Sequence, residues 1–492
     1  MVTGITKADV RYGAGWFAAS LALYLASAAR GLVWADSSKL TLYALSSYFP
    51  SLNPGDHAGW TLLASAWLCL VGGDPVVAAH RLSAVAGALS VWLLFLALRS
   101  RGVGPEQAHT AAALLLVALP VWWAATVAET YLPALALTLA GGLLLRSPAR
   151  TLRWSLAGIV WGLALACHAM ALFLMVPIVW EGARWRSWRL LPGIVVGSAP
   201  VWLAVFGGPV DPLTGFAAGS SATWRWHWEA FVALVRVPTG LAGLIALMLY
   251  SLGPLGVATI WYGRRERRAG AAWLVSLGVL ALLLATYAPY RLHLMTTFLL
   301  VGMLLALPLR LGRLARVAHV LVQTSLYLVV PAVLTVAGWQ GLGVRILPGR
   351  NNAFYFLCPV KGLPWGLGAW PPASLFDPGA ERYVDDLGAC APQGAAVVAD
   401  FNAGAPVRLA QRARGWRPDL EVYPVAVDVV LASRDPVARL LARIERELER
   451  RPLVLADTYE PYYHLSQVAA RFALSPCRAG ILVKARTGRE AP

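Results

Sequence analysis

The sequence predicts an α-helical polytopic membrane protein of about eleven crossings with a small C-terminal α/β domain. Three observations predict it. The chain of 492 residues is 58% hydrophobic and 14% charged, with a mean hydropathy of +0.60, too apolar for a water-soluble globule of this size. Apolar runs close to the roughly 20 residues a helix needs to cross a bilayer recur between Gly13 and Trp339. Beyond Trp339 no run is long enough and Pro, Gly, Asp and Arg become frequent, which divides the chain into a membrane domain over 1–338 and a soluble domain over 339–492.

Read in order, the expected spans are Gly15–Trp34, Val76–Leu98, Gln107–Ala125, Tyr131–Leu145, Leu190–Phe206, Thr239–Trp261, Ala271–Tyr287, Leu294–Leu309 and Val317–Gly338. Leu156–Trp180 has arginines at both ends, so a single crossing would put one cluster on the wrong side. Two short half-helices meeting at Cys167-His168 satisfy both, a break tolerated only where protein or water surrounds it. The first span is preceded by a basic start and contains Ala26-Ser27-Ala28, but a run of about twenty residues is too long for a signal-peptide core, and a retained helix is expected.

The net charge of +17 is distributed as topology rather than as a nucleic-acid surface. Residues 1–338 hold 23 Lys and Arg against 10 Asp and Glu, while 339–492 hold 19 against 15. With a cytoplasmic N-terminus, 17 of those 23 fall in inner loops, among them Arg99, Arg101, Arg146 and Arg316. The soluble domain then lies outside an inner (bacterial cytoplasmic) membrane. There one pair among Cys358, Cys390 and Cys477 can be oxidised; Cys69 and Cys167 are expected simply to pack. Four strands, Ala395–Ala399, Leu420–Val425, Leu453–Ala456 and Gly480–Lys484, and a helix at Pro436–Arg450 predict its α/β character.

This topology collects Asp36, Asp56, Asp74, Glu129, Asp211 and Glu229 on the outer side. Asp36 follows the first span, and Asp56-His57 shares its loop with the apolar stretch Trp60–Val71, suited to an interfacial helix. Glu129 interrupts an apolar passage, where an ionisable group is costly and so marks function; the plainer alternative is a solvated acid at a helix junction. His168 sits at the expected break, as a site group or a buried hydrogen-bonded histidine. Arg291 and His293 run against the charge bias, which points to an anionic ligand such as phosphate, with snorkelling as the alternative. Trp224-Arg225-Trp226-His227-Trp228 reads as an aromatic anchor, with sugar or lipid stacking behind it. Asp400-Phe401-Asn402 fits either an acidic loop or a strand-end turn.

Several of these stretches carry a resemblance. Trp34-Ala35-Asp36-Ser37-Ser38-Lys39-Leu40, then His57-Ala58-Gly59-Trp60-Thr61-Leu62, Arg81-Leu82-Ser83-Ala84, Ala128-Glu129-Thr130-Tyr131, and Gly158 through Gly162-Leu163 to His168 follow one another as in the transmembrane-protein-260-like family. In the soluble part, Cys390-Ala391-Pro392, Ala399-Asp400-Phe401-Asn402 and Gly415-Trp416-Arg417-Pro418-Asp419 resemble that family too. The departure is at Ser38-Lys39, where the family carries Gly-Glu; Asp56 is a candidate replacement for the lost carboxylate. The resemblance implies a GT-C-like fold and an inverting hexosyltransferase, akin to protein O-mannosyltransferases, that uses a polyprenyl-phosphate sugar. The acceptor is a protein or glycan hydroxyl on the extracytoplasmic side. With it, Asp36 and Glu129 are expected to be catalytic and His57, Tyr131 and His168 to hold substrate; Lys39, Asp56, Arg291 and His293 are expected to hold substrate on their charge and placement rather than on the family's motifs. No metal ligand is expected. A lipid-linked sugar flippase, a sugar-polymer ligase and a non-catalytic family member are the alternatives.

Overall fold

The computed structural model describes residues 5–49, 57–146, 152–183, 188–213, 245, 248–249, 252–253, 271–286, 292–307, 309–340, 379–424, 436–457 and 463–485. The helical body comprises α1 (Lys7–Ser27), α2 (Ala35–Ser46), α3 (Ala58–Val71), α4 (Pro75–Ser100), α5 (Pro105–Leu116), α6 (Leu119–Thr126), α7 (Tyr131–Arg146), α8 (Leu152–Cys167), α9 (Leu172–Ala183), α10 (Leu191–Gly197), α11 (Ala199–Gly207), α12 (Ala271–Thr286), α13 (Leu292–Ala306) and α14 (Arg313–Gln340). The expected span Thr239–Trp261 falls almost wholly outside the described residues, and Asp56, Glu229, Arg291, Cys358 and Trp224–Trp228 fall wholly outside.

Proline and capping chemistry set where these helices start and stop. Thr6 and Asp9 form a reciprocal cap on α1, and Asp74 accepts from Val76 N–H at 2.8 Å to start α4 with Pro75 in its first turn. The expected span Gln107–Ala125 is broken between α5 and α6, which bend by 56°. Pro120 has no N–H and its ring excludes the carbonyl of Leu116, which instead accepts the Tyr24 hydroxyl at 2.9 Å. Leu190–Phe206 is likewise bent by 52° at Ser198, ahead of Pro200. Gly15–Trp34 ends early: α1 stops at Ser27 and the chain continues extended from Ala28. Leu156–Trp180 breaks where expected, with α8 ending at Cys167, His168 extended, and a 3-10 turn at Ala169–Ala171 before α9.

These breaks shorten the runs. Among the described residues one helix, α4, is long and apolar enough to cross a membrane, or up to three if each bent pair counts as one span; six further apolar helices have 10–17 residues. The described residues therefore show a mostly helical body, not eleven full crossings. Its outward faces are apolar, with Leu203, Phe206, Leu274, Val275 and Leu314 all exposed.

Two charge groups sit at opposite ends of α4, which at 1.5 Å per residue is about 39 Å long. At its C-terminal end Arg99 pairs with Asp9 at 2.6 Å, and Glu181 on α9 takes Arg101 at 2.6 Å, Arg146 at 3.2 Å and the Trp273 indole N–H at 2.5 Å. Arg101 also donates to Leu305 O, so Glu181 and Arg101 together link α7, α9, α12 and α13 to the end of α4. At the other end lie Asp36, Asp74, Glu129 and the soluble domain.

α8 and α10 cross at backbone contact distance. A Cβ at Gly158 would meet Leu190 O and one at Gly162 would meet Ile194 O; in return Gly193 faces Ser155 O and Gly197 faces Ile159 O. Each helix thus presents two glycines four apart, the small-residue packing typical of helices in lipid.

The domain expected from the sequence to be soluble comprises α15 (Gly379–Cys390), β1 (Ala396–Ala399), α16 (Phe401–Arg414), β2 (Glu421–Pro424), α17 (Pro436–Leu448), β3 (Leu453–Leu455), α18 (Leu465–Arg471), β4 (Phe472–Pro476) and β5 (Ile481–Ala485). The sheet runs β2-β1-β3-β5-β4, with β1 parallel to β2 and β3, and β5 antiparallel to both its neighbours. β4 is the strand the sequence reading lacks. The oxidised pair is Cys390–Cys477, which closes 87 residues of chain. At the same corner Arg417, at φ 37°, donates to the carbonyls of Gly388, Ala391 and Pro392 and forks onto Asp419, whose carboxyl it holds well below the usual carboxylate range.

Replacing Gly162 by Val forces α8 from α10 and should cost about 1–3 kcal/mol, read as a lower thermal midpoint of the detergent-solubilised chain. Reducing Cys390–Cys477, or replacing Cys390 by Ser, should destabilise the soluble domain by about 2–5 kcal/mol, measured by protease susceptibility of the region beyond residue 379.

Candidate functional site

Three interruptions of the helical backbone meet at the end of the body that carries the soluble domain: the segment 28–34 before α2, 127–130 between α6 and α7, and Cys167-His168 between α8 and α9. Backbone groups freed inside an apolar body must find partners. His80 on α4 supplies two. Its Nδ1 accepts from Ala128 N–H at 2.9 Å, so its Nε2 carries the hydrogen and donates to Gly31 O at 3.0 Å. The Ser37 hydroxyl also accepts from Ala128 N–H at 3.0 Å, Ser83 accepts from Glu129 N–H at 3.0 Å, and the Trp60 indole donates to Glu129 O at 3.1 Å.

The expected site residues hang on this frame. Asp36, half-exposed in the first turn of α2, forms an ion pair at 2.8 Å with Lys39 one turn on, and Lys39 lies 6.0 Å from the Tyr43 ring centre. Glu129 is 5% exposed, and its carboxyl is within electrostatic reach of both Asp36 and Lys39. Tyr131 opens α7 and its ring lies 4.7 Å from that of His168. His57, the residue before α3, stacks on His168 at 5.2 Å with the rings 18° from parallel, and its Nδ1 donates to Cys167 O at 2.8 Å. Gly59 makes that contact possible, because a Cβ there would sit 2.7 Å from the Cys167 nitrogen. Phe298 of α13 lies beyond, 5.8 Å from the His168 ring.

Six of the nine expected residues, Asp36, Lys39, His57, Glu129, Tyr131 and His168, thus come together from five separate elements. Asp56 and Arg291 lie outside the described residues, and of His293 only its place in the first turn of α13 is described. Among the described residues no three His, Cys, Asp or Glu side chains converge as a metal-ligand set. The sequence reading missed His80 and gave Ser83 no role. Their signal was a His and a Ser three apart on one face of an otherwise apolar helix, directly at the Arg81-Leu82-Ser83-Ala84 stretch.

The soluble domain covers this end. α16 packs on α2 through Ala403, Val407 and Ala410 against Leu42 and Tyr43. Glu381 accepts from Leu32 N–H at 2.8 Å and is gripped by Arg414 with both oxygens at 2.9 Å, while Arg414 reaches Asp74 at 3.3 Å. The Trp34 ring meets Tyr383 at 5.0 Å, two residues before Asp36. Asp400, by contrast, is a buried strand-end residue: it takes the Tyr463 hydroxyl at 2.7 Å and accepts from Ala403 N–H at 3.3 Å.

Replacing His80 by Ala takes the imidazole from Gly31 O while Ala128 N–H keeps Ser37, and should cost about 1–3 kcal/mol; the His80→Ala/Ser37→Ala double variant, which frees Ala128 N–H as well, should cost more. Thermal unfolding of the full chain in detergent checks the order. Comparison with protein-family models, curated proteins and solved structures finds no match for this chain.

Proposed function

We propose that the chain is an integral membrane glycosyltransferase that moves a sugar from a polyprenyl-phosphate carrier to a hydroxyl of a protein or glycan on the extracytoplasmic side. One observation carries the proposal. Carboxylates, a cation, two imidazoles and aromatic rings from separate elements meet where the helical backbone is broken, beneath a soluble domain. The same end carries few basic residues, while the opposite end is rich in arginine, the asymmetry expected of outer and inner faces. Apolar outward faces, the glycine-lined α8–α10 crossing and a disulfide in the soluble domain support the same placement.

The chemistry follows from the charges. The acceptor O–H must lose its proton to a base as its oxygen attacks the anomeric carbon; the bond from that carbon to the phosphate oxygen breaks on the opposite face, and the phosphate leaves with the electron pair. Asp36 is the assigned base and Lys39 the cation that meets the phosphate, so donor binding draws Lys39 away and frees the carboxylate. Glu129 orients the acceptor. Arg291 and His293 remain assigned to the phosphate on the charge pattern of the sequence alone.

One observation favours a second reading, a non-catalytic protein that holds the same lipid-linked sugar: Asp36 is ion-paired with Lys39 at 2.8 Å, which weakens it as a base. Incubating the purified chain with labelled undecaprenyl-phosphate sugars separates the two. Transfer predicts release of the carrier and a labelled acceptor; binding alone predicts neither. Asp36→Asn should lower the transfer rate by at least roughly 100-fold with an unchanged thermal midpoint, and full activity in that variant removes the assignment.

A further inference from the structure

The two stacked imidazoles are held in opposite tautomers by the backbone. His57 Nδ1 faces the carbonyl of Cys167, which can only accept, so Nδ1 carries the hydrogen and Nε2 of the neutral ring presents a lone pair. His168 Nδ1 faces the N–H of Met170 at 3.1 Å, which can only donate, so its hydrogen is on Nε2. Both rings are therefore tethered through Nδ1 to the same stretch, residues 167–170. Nε2 lies across each five-membered ring from Nδ1, so each ring turns its Nε2 away from the backbone group that tethers it. No described residue engages either Nε2.

Two buried hydroxyls, on residues next in sequence to rings near His168, lack partners among the described residues. The hydroxyl of Thr130, 1% exposed, and that of Thr297, fully buried, have no partner among the described residues. Each is next in sequence to a ring that touches His168, Tyr131 in one case and Phe298 in the other. Buried hydroxyls without partners are uncommon and call for a ligand or water.

We infer that His57 and His168 form a binding subsite for one sugar hydroxyl, which donates its hydrogen to His57 Nε2 and accepts the hydrogen of His168 Nε2, while Tyr131 and Phe298 flank the ring. An acceptor beside a donor suits a hydroxyl, which does both through one oxygen. A fully ionised phosphate has no hydrogen for His57, and an ammonium has no lone pair for His168. This subsite rests on the glycosyl-transfer reading and adds to it the residues that select the sugar.

The test uses the tautomers. His57→Asn keeps a side-chain donor near the position of Nδ1 for Cys167 O, and His168→Asn keeps an acceptor for Met170 N–H, but both lose Nε2. With the full-length chain in detergent and undecaprenyl-phosphate mannose, glucose and galactose as donors, each variant should raise the donor KM roughly tenfold with little change in kcat. Among monodeoxy donors, one should be worse than its parent by a similar factor for the wild type yet equal to its parent for the His57→Asn variant, because hydroxyl and partner are lost together. A deoxy panel on the wild type in which every analogue matches its parent overturns the subsite without reference to variant folding. Unchanged KM in both Asn variants overturns it as well while leaving glycosyl transfer intact. A wild type that releases carrier from none of the three donors removes the transfer reading, and the subsite with it.

Discussion

The site depends on one histidine that satisfies two interrupted backbones at once. His80 holds Gly31 O and Ala128 N–H, and so ties the segment leading to Asp36 to the segment leading to Glu129. Neither segment is helical, and in an apolar body each would otherwise leave unpaired peptide groups, at a cost of several kcal/mol apiece. Ser37, Ser83, Trp60 and His57 do the same work around the same corner. The residues that hold the breaks open are also those that place the charged and imidazole groups.

Charge is sorted along the body in the same way. At the Arg101 end, carboxylates and guanidinia neutralise each other and close the helices with Glu181 as a shared partner. At the Asp36 end Lys39 pairs with Asp36 and is also within electrostatic reach of Glu129. The soluble domain is fixed to this second end through Glu381, Arg414 and the Trp34–Tyr383 contact. It therefore bears directly on the segment two to five residues ahead of Asp36, so any movement of that domain is felt by the proposed base.

Much of the fold was legible locally. Proline and β-branched patterns located four of the five strands within a residue or two, and charge balance at the two ends of 156–180 located the break at Cys167-His168, where the structure breaks. The first span was misjudged because hydropathy cannot see that Ser27 and Ala29 pair with Trp122 and Thr126 rather than continue a helix: Ser27 Oγ accepts the Trp122 indole N–H and Ala29 N–H donates to Thr126 O. The bends at Pro120 and Ser198 were written in the prolines, but a window average smooths over them.

By itself the sequence determined the apolar helical body, the α/β character of the C-terminal region and six residues that do meet at one site, because period, composition and charge act over short stretches of chain. Only the tertiary structure decided that His80 and Ser83 frame that site, that Lys39 pairs with Asp36 while Glu129 stays buried, that Cys390 and Cys477 are the bonded pair, and that His57 and His168 carry opposite tautomers. These depend on which backbone group faces which side chain across gaps of up to 110 residues, and hydrogen-bond partnership at that range follows from packing rather than from local pattern.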